Sequence, residues 1–378
     1  MSLLGSLTPA QFLSEHWQKQ PLLVRQAIPG FRGFLGPAEL AKLASQRDVV
    51  ARTVTDTGQR GARRFRLDEG PFKRLDVARV PAERWTLLVQ GIEQHFDAGW
   101  ELLQRFSFVP HARVDDLMVS WARPGGSVGP HFDLYDVFLL QGSGRRRWQI
   151  STDGDLACID DADVRVLQRF VPREEWVLEP GDMLYLPPKV GHHGVAVASD
   201  EECMTWSIGF SAPAHEQLVH NFLAFLGLEA RGEGMYEDPD LQEQERPGDV
   251  VDATVARVER ALEELRWDQE RVATFTGRLL TGPKDSVVFA APSKPLDVAA
   301  FAKRLAGEGK LGLARCSRML FRGERVFLNG EEYAVAGSLK IALQALADRR
   351  SVSLPVAVDD DEVGLLHGWH LRGWIVVG

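Results

Sequence analysis

Cysteine is scarce in this sequence, with three residues among 378. Cys158, Cys203 and Cys316 stand far apart and form no CxxC pair. This spacing indicates neither a disulfide framework nor a zinc site built from thiolates. It favours the reducing environment of the cytoplasm, where thiols stay unpaired.

Long apolar runs are also missing. No stretch approaches the roughly eighteen consecutive apolar residues that a membrane-spanning helix needs. The first residues, MSLLGSLTPAQFLSEHW, lack the charged segment followed by an apolar stretch that marks a secretory signal. We therefore expect neither a membrane span nor an export signal.

Excess positive charge is absent as well. The 53 acidic residues outnumber the 44 lysines and arginines, which gives a formal net charge of −9. A negative chain is repelled as a whole by nucleic-acid phosphates and by anionic lipids. We expect no direct nucleic-acid binding and no membrane binding, whereas a basic protein partner is compatible with this charge.

The length of the chain predicts two or three domains. The pattern of apolar and turn residues changes along it. Residues 101–211 carry short β-rich runs separated by Gly, Pro and Asp turns, a pattern typical of a sandwich or barrel. Helical patterns dominate residues 212–275, and residues 276–378 mix helical and β-like pieces. We therefore expect a mainly β domain over 1–211, then a helical segment and a small α+β domain.

An apolar stripe runs along the helical segment, with members spaced alternately four and three residues apart. The stripe consists of Val251, Val255, Val258, Leu262 and Leu265. Two interpretations remain open. The helix packs against its own domain, or the stripe forms the seam of a dimer.

A histidine and an aspartate stand two residues apart at the start of the apolar run HFDLYDVFLL. In a β-strand, side chains two apart point to the same face. We therefore expect His131 and Asp133 to share a face with Tyr135, Val137 and Leu139, at the mouth of an apolar interior. An HxD triplet alone is weak evidence, because such triplets occur by chance.

A second histidine-bearing hairpin follows in EPGDMLYLPPKVGHHG. Pro180 and Gly181 indicate a turn, MLYLP indicates a buried strand, and two prolines end that strand before His192 or His193. Glycine, five residues, proline and then histidine is the pattern of the second metal-bearing hairpin in cupin-type double-stranded β-helices. On this spacing alone, both histidines remain candidates.

Together the two hairpins offer two imidazoles and one carboxylate. On one face of a metal, this set leaves three coordination positions open, as in non-haem Fe(II) oxygenases. A structural zinc site would instead use four ligands, commonly with thiolates. No cysteine lies near either hairpin.

Three arginines follow the first hairpin motif, in GRRRWQI. By strand alternation Arg146 shares a face with Trp148, while Arg145 and Arg147 point the other way. A cation inside a β-sandwich is too costly to leave unpaired, so Arg146 requires a carboxylate, which a guanidinium can bind with two parallel hydrogen bonds. The distal carboxylate of 2-oxoglutarate would supply this partner.

These stretches together resemble the JmjC-type 2-oxoglutarate oxygenases, and more closely their bacterial ribosomal oxygenase branch, nearly end to end. The resemblance is carried by QKQPLLVRQAI, PGGSVGPHFD, QGSGRRRW, LEPGDMLYLPPKVGHHG and WSIGFSAP. It implies a double-stranded β-helix of the cupin/JmjC jelly-roll type over 1–211. It also implies a helical dimerisation segment over 212–275 and a winged-helix-like α+β domain over 276–378.

The same resemblance implies the cofactors and the residues that bind them. Fe(II) would be bound by His131, Asp133 and His192. Arg146, fifteen residues after His131, would bind the cosubstrate 2-oxoglutarate, and Ser207 is a further candidate for a hydrogen bond to it. Dioxygen would be the second cosubstrate.

The resemblance also implies an activity: hydroxylation of an arginine side chain at its β-carbon in a large-subunit ribosomal protein, L-sixteen in the best-known members. Asp115, Asp116 and Tyr135 are candidates to contact that arginine, although carboxylates ahead of a strand are more often turn or cap groups. Two alternatives remain: a cupin metalloenzyme that does not use 2-oxoglutarate, and a non-catalytic module that binds ribosomal protein or nucleic acid. The expected form is a cytoplasmic homodimer.

Overall fold

The computed structural model describes residues 3–73, 75–229, 235–262 and 267–378. Most elements of the first 211 residues are strands. The helices there are α1 (Pro9–Glu15), α2 (Pro37–Leu43) and α3 (Asp97–Gln104). The strands are β1 (Leu22–Val24), β2 (Ala51–Asp56), β3 (Phe65–Glu69), β4 (Trp85–Val89), β5 (Val114–Ala122), β6 (Asp136–Ser143), β7 (Arg145–Ser151), β8 (Glu174–Leu178), β9 (Met183–Leu186), β10 (Gly191–Val197) and β11 (Cys203–Phe210).

Two antiparallel sheets face each other across an apolar interior. The larger sheet has the strand order β1-β9-β6-β11-β5-β4-β2-β3, and the smaller one has the order β10-β7-β8. In the interior, Val137 and Leu139 of β6 pack against Trp148 and Ile150 of β7. This architecture confirms the predicted jelly-roll fold.

The other face of the larger sheet packs against the N-terminal helices in a second core. Thr8 caps α1 through reciprocal hydrogen bonds with Gln11, a capping box that fixes where the helix begins. Phe12 of α1 is fully buried, with its ring centroid 5.5 Å from that of Phe138 and 4.9 Å from that of Tyr185.

The turn between β8 and β9 requires glycine. Gly181 has a φ of +93°, and a Cβ atom there would lie 2.8 Å from the carbonyl oxygen of Ile28. Any other residue would combine backbone strain with a clash. As the prolines predict, β9 ends at Leu186, directly before Pro187, so the chain is free to turn into β10.

A helical segment follows the β domain. It contains α4 (His215–Glu229) and α5 (Asp252–Leu262). The exposed apolar side chains of these helices include Val219, Leu223, Val255, Val258 and Leu262. Leu265, the last member of the predicted stripe, lies outside the described residues. No helix in the described part of the chain combines the length and the apolar character needed to cross a bilayer.

A C-terminal module, residues 269–378, has a hydrophobic core of its own. Its helices are α6 (Gln269–Thr281), α7 (Val298–Leu305), α8 (Gly337–Arg349) and α9 (Asp360–Leu371). Its strands are β12 (Lys310–Leu313), β13 (Met319–Arg322), β14 (Arg325–Leu328), β15 (Glu331–Ala334), β16 (Ser351–Ser353) and β17 (Ile375–Val377), which form the sheets β16-β12-β17 and β13-β14-β15. The predicted α+β character is confirmed, while the division of the chain after residues 211 and 275 stays a prediction.

Candidate active site

The side chains of His131, Asp133 and His192 lie together, although they come from separate hairpins. One possible ligand atom from each lies within 4.8 Å of the other two. The Nε2 of His192 is 3.6 Å from Oδ2 of Asp133, and the two imidazole centroids are 4.2 Å apart. Donor atoms that share one ion at about 2.1 Å lie about 3–4 Å apart, so small side-chain adjustments suffice to hold a metal.

Backbone hydrogen bonds between the hairpins create this proximity. The N–H of His131 donates to the carbonyl oxygen of His192 at 2.9 Å, and the N–H of His192 donates to that of His131 at 2.7 Å. The N–H of Lys189 donates to the carbonyl oxygen of Asp133 at 2.8 Å. Each hairpin therefore positions the candidate ligands of the other.

The prediction that a single strand aligns His131 with Asp133 is wrong. The chain bends before β6 begins at Asp136, so both residues precede the strand and Tyr135 is 40% exposed. The later members of the predicted face, which lie within β6, do point into the interior. Contacts between the hairpins, rather than strand alternation, bring the pair together.

Both histidines of the cluster present Nε2 to it, because their Nδ1 atoms have backbone partners. The Nδ1 of His131 lies 2.9 Å from the carbonyl oxygen of Gly129, and the Nδ1 of His192 lies 3.0 Å from that of Val190. A carbonyl oxygen can only accept, so Nδ1 carries the proton and the Nε2 lone pair is available to a metal.

The surroundings of His192 keep its imidazole in the neutral form, which can bind a metal. Burial lowers the pKa of His192 to about 4, with the neighbouring His131 as the second cause. The imidazole is therefore neutral at pH 7, the state that a metal ligand requires.

His193 points away from the cluster. It is paired with Gln149 of β7, and its ring centroid lies 6.0 Å from that of Phe170. Neighbours in β10 alternate between faces, so His192 and His193 cannot both reach His131. The structure places His192, and not His193, beside the other two candidates.

Arg146 lies in the interior between the sheets. It is 4% exposed, whereas Arg145 is exposed, as strand alternation predicts. Its Cζ atom is 5.7 Å from the ring centroid of Trp148. Within the described residues its Nε and Nη2 have no hydrogen-bond partner. Because an unpartnered guanidinium is costly to bury, this interior is suited to an anionic molecule.

Ser207 lies on the wall opposite the smaller sheet. It is buried in β11 and is paired in register with Met118 of β5 and Leu139 of β6. Its neighbours Trp206 and Ile208 face the second core, which lies between the larger sheet and the N-terminal helices. Because side chains alternate along a strand, Ser207 faces the interior between the two sheets.

Asp115 and Asp116 are not turn or cap groups, contrary to the more common role of such carboxylates, since both lie within β5. Asp116 is 6% exposed, and its Oδ2 has no hydrogen-bond partner in the part of the chain that the structure describes. Burial, and then the nearby Glu93 carboxylate, raise the pKa of Asp116 to about 7. Asp115 is partly exposed and pairs with Nζ of Lys284 at 2.8 Å.

Tyr135 converges on the same place as Asp116. A Cβ atom at Gly209, which is opposite Asp116 in the sheet, would lie 3.3 Å from Oδ1 of Asp116 and 4.0 Å from Cε2 of Tyr135. The glycine therefore leaves space between a carboxylate and an aromatic ring. An adjoining pocket is lined by Asp116 together with His95 and Lys284.

Two groups beside Asp116 gave no signal in the sequence. Glu93 is buried, and its Oε2 accepts a hydrogen bond from the N–H of Leu117 at 3.0 Å. Lys284 comes from the C-terminal module. Neither residue belongs to a motif, and only the folded chain brings them to β5.

Comparison with known proteins agrees with this geometry. The JmjC domain family matches residues 101–218, and the ROXA-like winged helix family matches residues 264–375. The chain is 32% identical over 338 residues to the ribosomal protein uL16 3-hydroxylase of Escherichia coli, covering 89% of this chain and 87% of that protein. It is 33% identical over 273 residues to a protein of Haemophilus influenzae named probable ribosomal oxygenase, covering 68% of this chain and 63% of that protein.

Solved structures show the same likeness over the full length. The X-ray structure of E. coli ycfD superposes with a TM-score of 0.84 at 29% identity, covering 100% of each chain. A structure of YcfD, a ribosomal oxygenase from E. coli, in complex with cobalt and 2-oxoglutarate superposes with a TM-score of 0.81 at 28% identity, covering 98% of each chain. Because the similarity in sequence and in fold extends over nearly the whole length, this chain belongs to the JmjC-domain ribosomal oxygenase family.

Proposed function

We propose that this chain is an Fe(II)- and 2-oxoglutarate-dependent oxygenase that hydroxylates the β-carbon of an arginine in ribosomal protein L-sixteen (uL16). One observation carries the proposal: within the described residues, a His-Asp-His cluster and a buried arginine with unpartnered nitrogens belong to the same β domain. The name of the E. coli relative supports the substrate, and the solved relative with cobalt and 2-oxoglutarate supports the cofactors.

Three side chains would hold the iron: His131 and His192 through Nε2, and Asp133 through a carboxylate oxygen. This set leaves positions for a chelating cosubstrate and for dioxygen. When bound, the iron and its cosubstrates supply the oxidising chemistry that inserts one oxygen atom into a C–H bond. Because the carbonyl groups of Gly129 and Val190 accept from the two Nδ1 atoms, both Nε2 lone pairs would be available to the ion.

Arg146 would bind the distal carboxylate of 2-oxoglutarate. A guanidinium in an apolar interior pairs strongly with a carboxylate, because little water screens the attraction. Ala196, which is paired with Arg146, lies four residues beyond His192 on β10, about 13 Å along the strand. A five-carbon diacid and an arginine side chain together bridge such a distance. Ser207 would donate a hydrogen bond to the same molecule.

Asp116 would bind the guanidinium of the substrate arginine. Its Oδ2 lacks a partner among the described residues, and the ring of Tyr135 lies nearby. An anion beside an aromatic face suits a planar cation. Holding the far end of the arginine side chain would fix its β-carbon relative to the His-Asp-His cluster. This positioning would lower the entropic cost of the reaction.

We also propose a homodimer in the cytoplasm, formed through the exposed apolar side chains of α4 and α5. Val255 and Val258 are 52% and 47% exposed in the single chain, which supports a partner surface rather than internal packing. Val258→Glu should shift the protein to monomer in sedimentation experiments, whereas Arg260→Glu on the other face of α5 should not. A monomeric wild type would contradict the dimer.

The activity is tested with purified protein, Fe(II), ascorbate, 2-oxoglutarate and arginine-containing peptides that tile uL16. We expect a mass gain of one oxygen on one peptide and an equal amount of succinate, with both products lost in Asp133→Ala. Turnover that does not need 2-oxoglutarate would favour a different cupin metalloenzyme. Peptide binding without turnover, equal in wild type and Asp133→Ala, would favour a non-catalytic binding module.

A further inference from the structure

The C-terminal module contacts the strand that carries Asp116. The guanidinium of Arg318 donates through Nη1 to the carbonyl oxygen of Val114 at 2.8 Å, and through Nη2 to that of Asp115. Lys284 of the same module pairs with the Asp115 carboxylate. Two cations from a separate domain therefore hold the residues directly before Asp116.

These carbonyl groups lie at a β-bulge, in a part of β5 that extends beyond its pairing with β4. In the pairing of β5 with β11, Asp116 is opposite Gly209 and Val114 is opposite Phe210, so Asp115 is the extra residue. A bulge interrupts the ladder of hydrogen bonds and redirects nearby side chains. At this bulge, the two carbonyl groups accept from Arg318.

The opposite side of Asp116 is held as well. Leu117, the next residue, donates its N–H to the buried Glu93 carboxylate at 3.0 Å. The backbone is thus fixed at Asp115 and at Leu117, one residue on either side of Asp116. This bracing sets the direction in which the Asp116 side chain leaves the strand.

Arg318 itself has a fixed position. Its backbone N–H donates to Oδ1 of Asn329 at 2.9 Å, and Nδ2 of Asn329 donates to Oγ of Ser317 at 3.1 Å. The module is anchored to the β domain close by, since Arg315 forms hydrogen bonds of 2.6 and 2.8 Å with both carboxylate oxygens of Asp97. Because Arg318 is held in this way, its guanidinium can fix the position of the β5 carbonyl groups that it binds.

We infer that Arg318 is a positioning residue for substrate recognition: by binding the carbonyl groups of the β5 bulge, it directs the Asp116 carboxylate toward the substrate guanidinium. The inference rests on the proposed function, because it takes Asp116 as the group that binds the substrate arginine. It gives the C-terminal module a part in recognising the substrate, through hydrogen bonds from Arg318 to the backbone of β5.

The kinetic test compares Arg318→Ala and Arg318→Lys with Arg322→Ala, a control that removes an exposed arginine at the far end of β13. In Arg318→Ala we expect the KM for the peptide to rise about tenfold, which is about 1.4 kcal/mol, with the KM for 2-oxoglutarate within about twofold of wild type. Lysine should restore part of the loss, since one ammonium group can still donate to a carbonyl oxygen. An unchanged peptide KM in Arg318→Ala, or equal changes for peptide and cosubstrate, would overturn the inference.

A second measurement separates this inference from the proposed function. Amide hydrogen exchange over residues 114–120 should be faster in Arg318→Ala than in wild type, and unchanged in Arg322→Ala. Unchanged exchange in Arg318→Ala overturns the positioning role whatever the enzyme does. If wild type oxidises no peptide but exchange still depends on Arg318, the proposed function fails while the bracing of β5 stands.

Discussion

The His-Asp-His cluster and Asp116 belong to the same domain, but their surroundings are assembled differently. Backbone hydrogen bonds between two hairpins place His131 and His192. The strand around Asp116 is held by Glu93 and by Arg318 of the C-terminal module, neither of which belongs to a motif. The candidate metal ligands therefore lie in recognisable motifs, whereas the surroundings of the proposed substrate contact depend on residues that belong to no motif.

The largest loss of activity is expected at the His-Asp-His cluster. Asp133→Ala removes the carboxylate and leaves the two imidazoles as the remaining candidate ligands, so peptide oxidation should fall to background. Because the Asp133 side chain is partly exposed, the variant should still fold, which thermal melting followed by circular dichroism would show. The exposed Asp200→Ala should behave as wild type. Wild-type turnover in Asp133→Ala would remove this residue from the centre.

A smaller loss of activity is expected at the proposed 2-oxoglutarate site. Arg146→Ala leaves the distal carboxylate of 2-oxoglutarate buried without its partner, at a cost of about 3–5 kcal/mol. The KM for 2-oxoglutarate should rise by roughly 140- to 4,000-fold in initial-rate measurements, provided that the whole cost falls on binding. Arg145→Ala, its exposed neighbour, is the matched control and should leave the KM unchanged. An Arg146→Ala enzyme with wild-type cosubstrate dependence would show that the arginine has another role.

The substitution Asp116→Asn should act on the substrate alone. A hydrogen bond to a charged group contributes about 1.5–3 kcal/mol, so the KM for the peptide should rise by about 10- to 100-fold. The KM for 2-oxoglutarate should stay near its wild-type value. Asp200→Asn serves as the control, because Asp200 is an exposed carboxylate outside the proposed site. Equal losses for peptide and cosubstrate would argue against a separate pocket for the substrate arginine.

The pH dependence of the peptide KM should also separate the proposed substrate site from the cosubstrate site, with a modest effect. The pKa of Asp116 is raised to about 7, so the carboxyl group is largely neutral at pH 6 and ionised at pH 8. Because only the ionised form pairs with a guanidinium, the peptide KM should fall several-fold between these pH values. Asp116→Asn should lose this trend. A trend that persists in Asp116→Asn would assign it to another group.

Much of the β domain was predictable, because its strands are short apolar runs between turn residues. The regions that became β5 to β11 all carry this pattern. β2 to β4, which extend the larger sheet, were not identified, since nothing in the sequence indicates that they join it. The inward direction of Arg146 followed from strand alternation, which holds because β7 is a regular strand.

The prediction failed where the backbone is irregular. Alternation could not place His131 and Asp133, because the chain bends before β6 begins. Asp115 and Asp116 resembled turn or cap groups, yet they lie in β5 at a bulge. The bulge arises where two strands pair, and its carbonyl groups accept hydrogen bonds from Arg318, some 200 residues away in sequence, so no local pattern reveals it.

The most direct test of the central claim is a crystal structure of the protein soaked anaerobically with Co(II) and 2-oxoglutarate. We expect cobalt bound by Nε2 of His131, a carboxylate oxygen of Asp133 and Nε2 of His192, with the distal carboxylate of 2-oxoglutarate against Arg146. Cobalt bound through His193, or 2-oxoglutarate bound away from Arg146, would contradict the account.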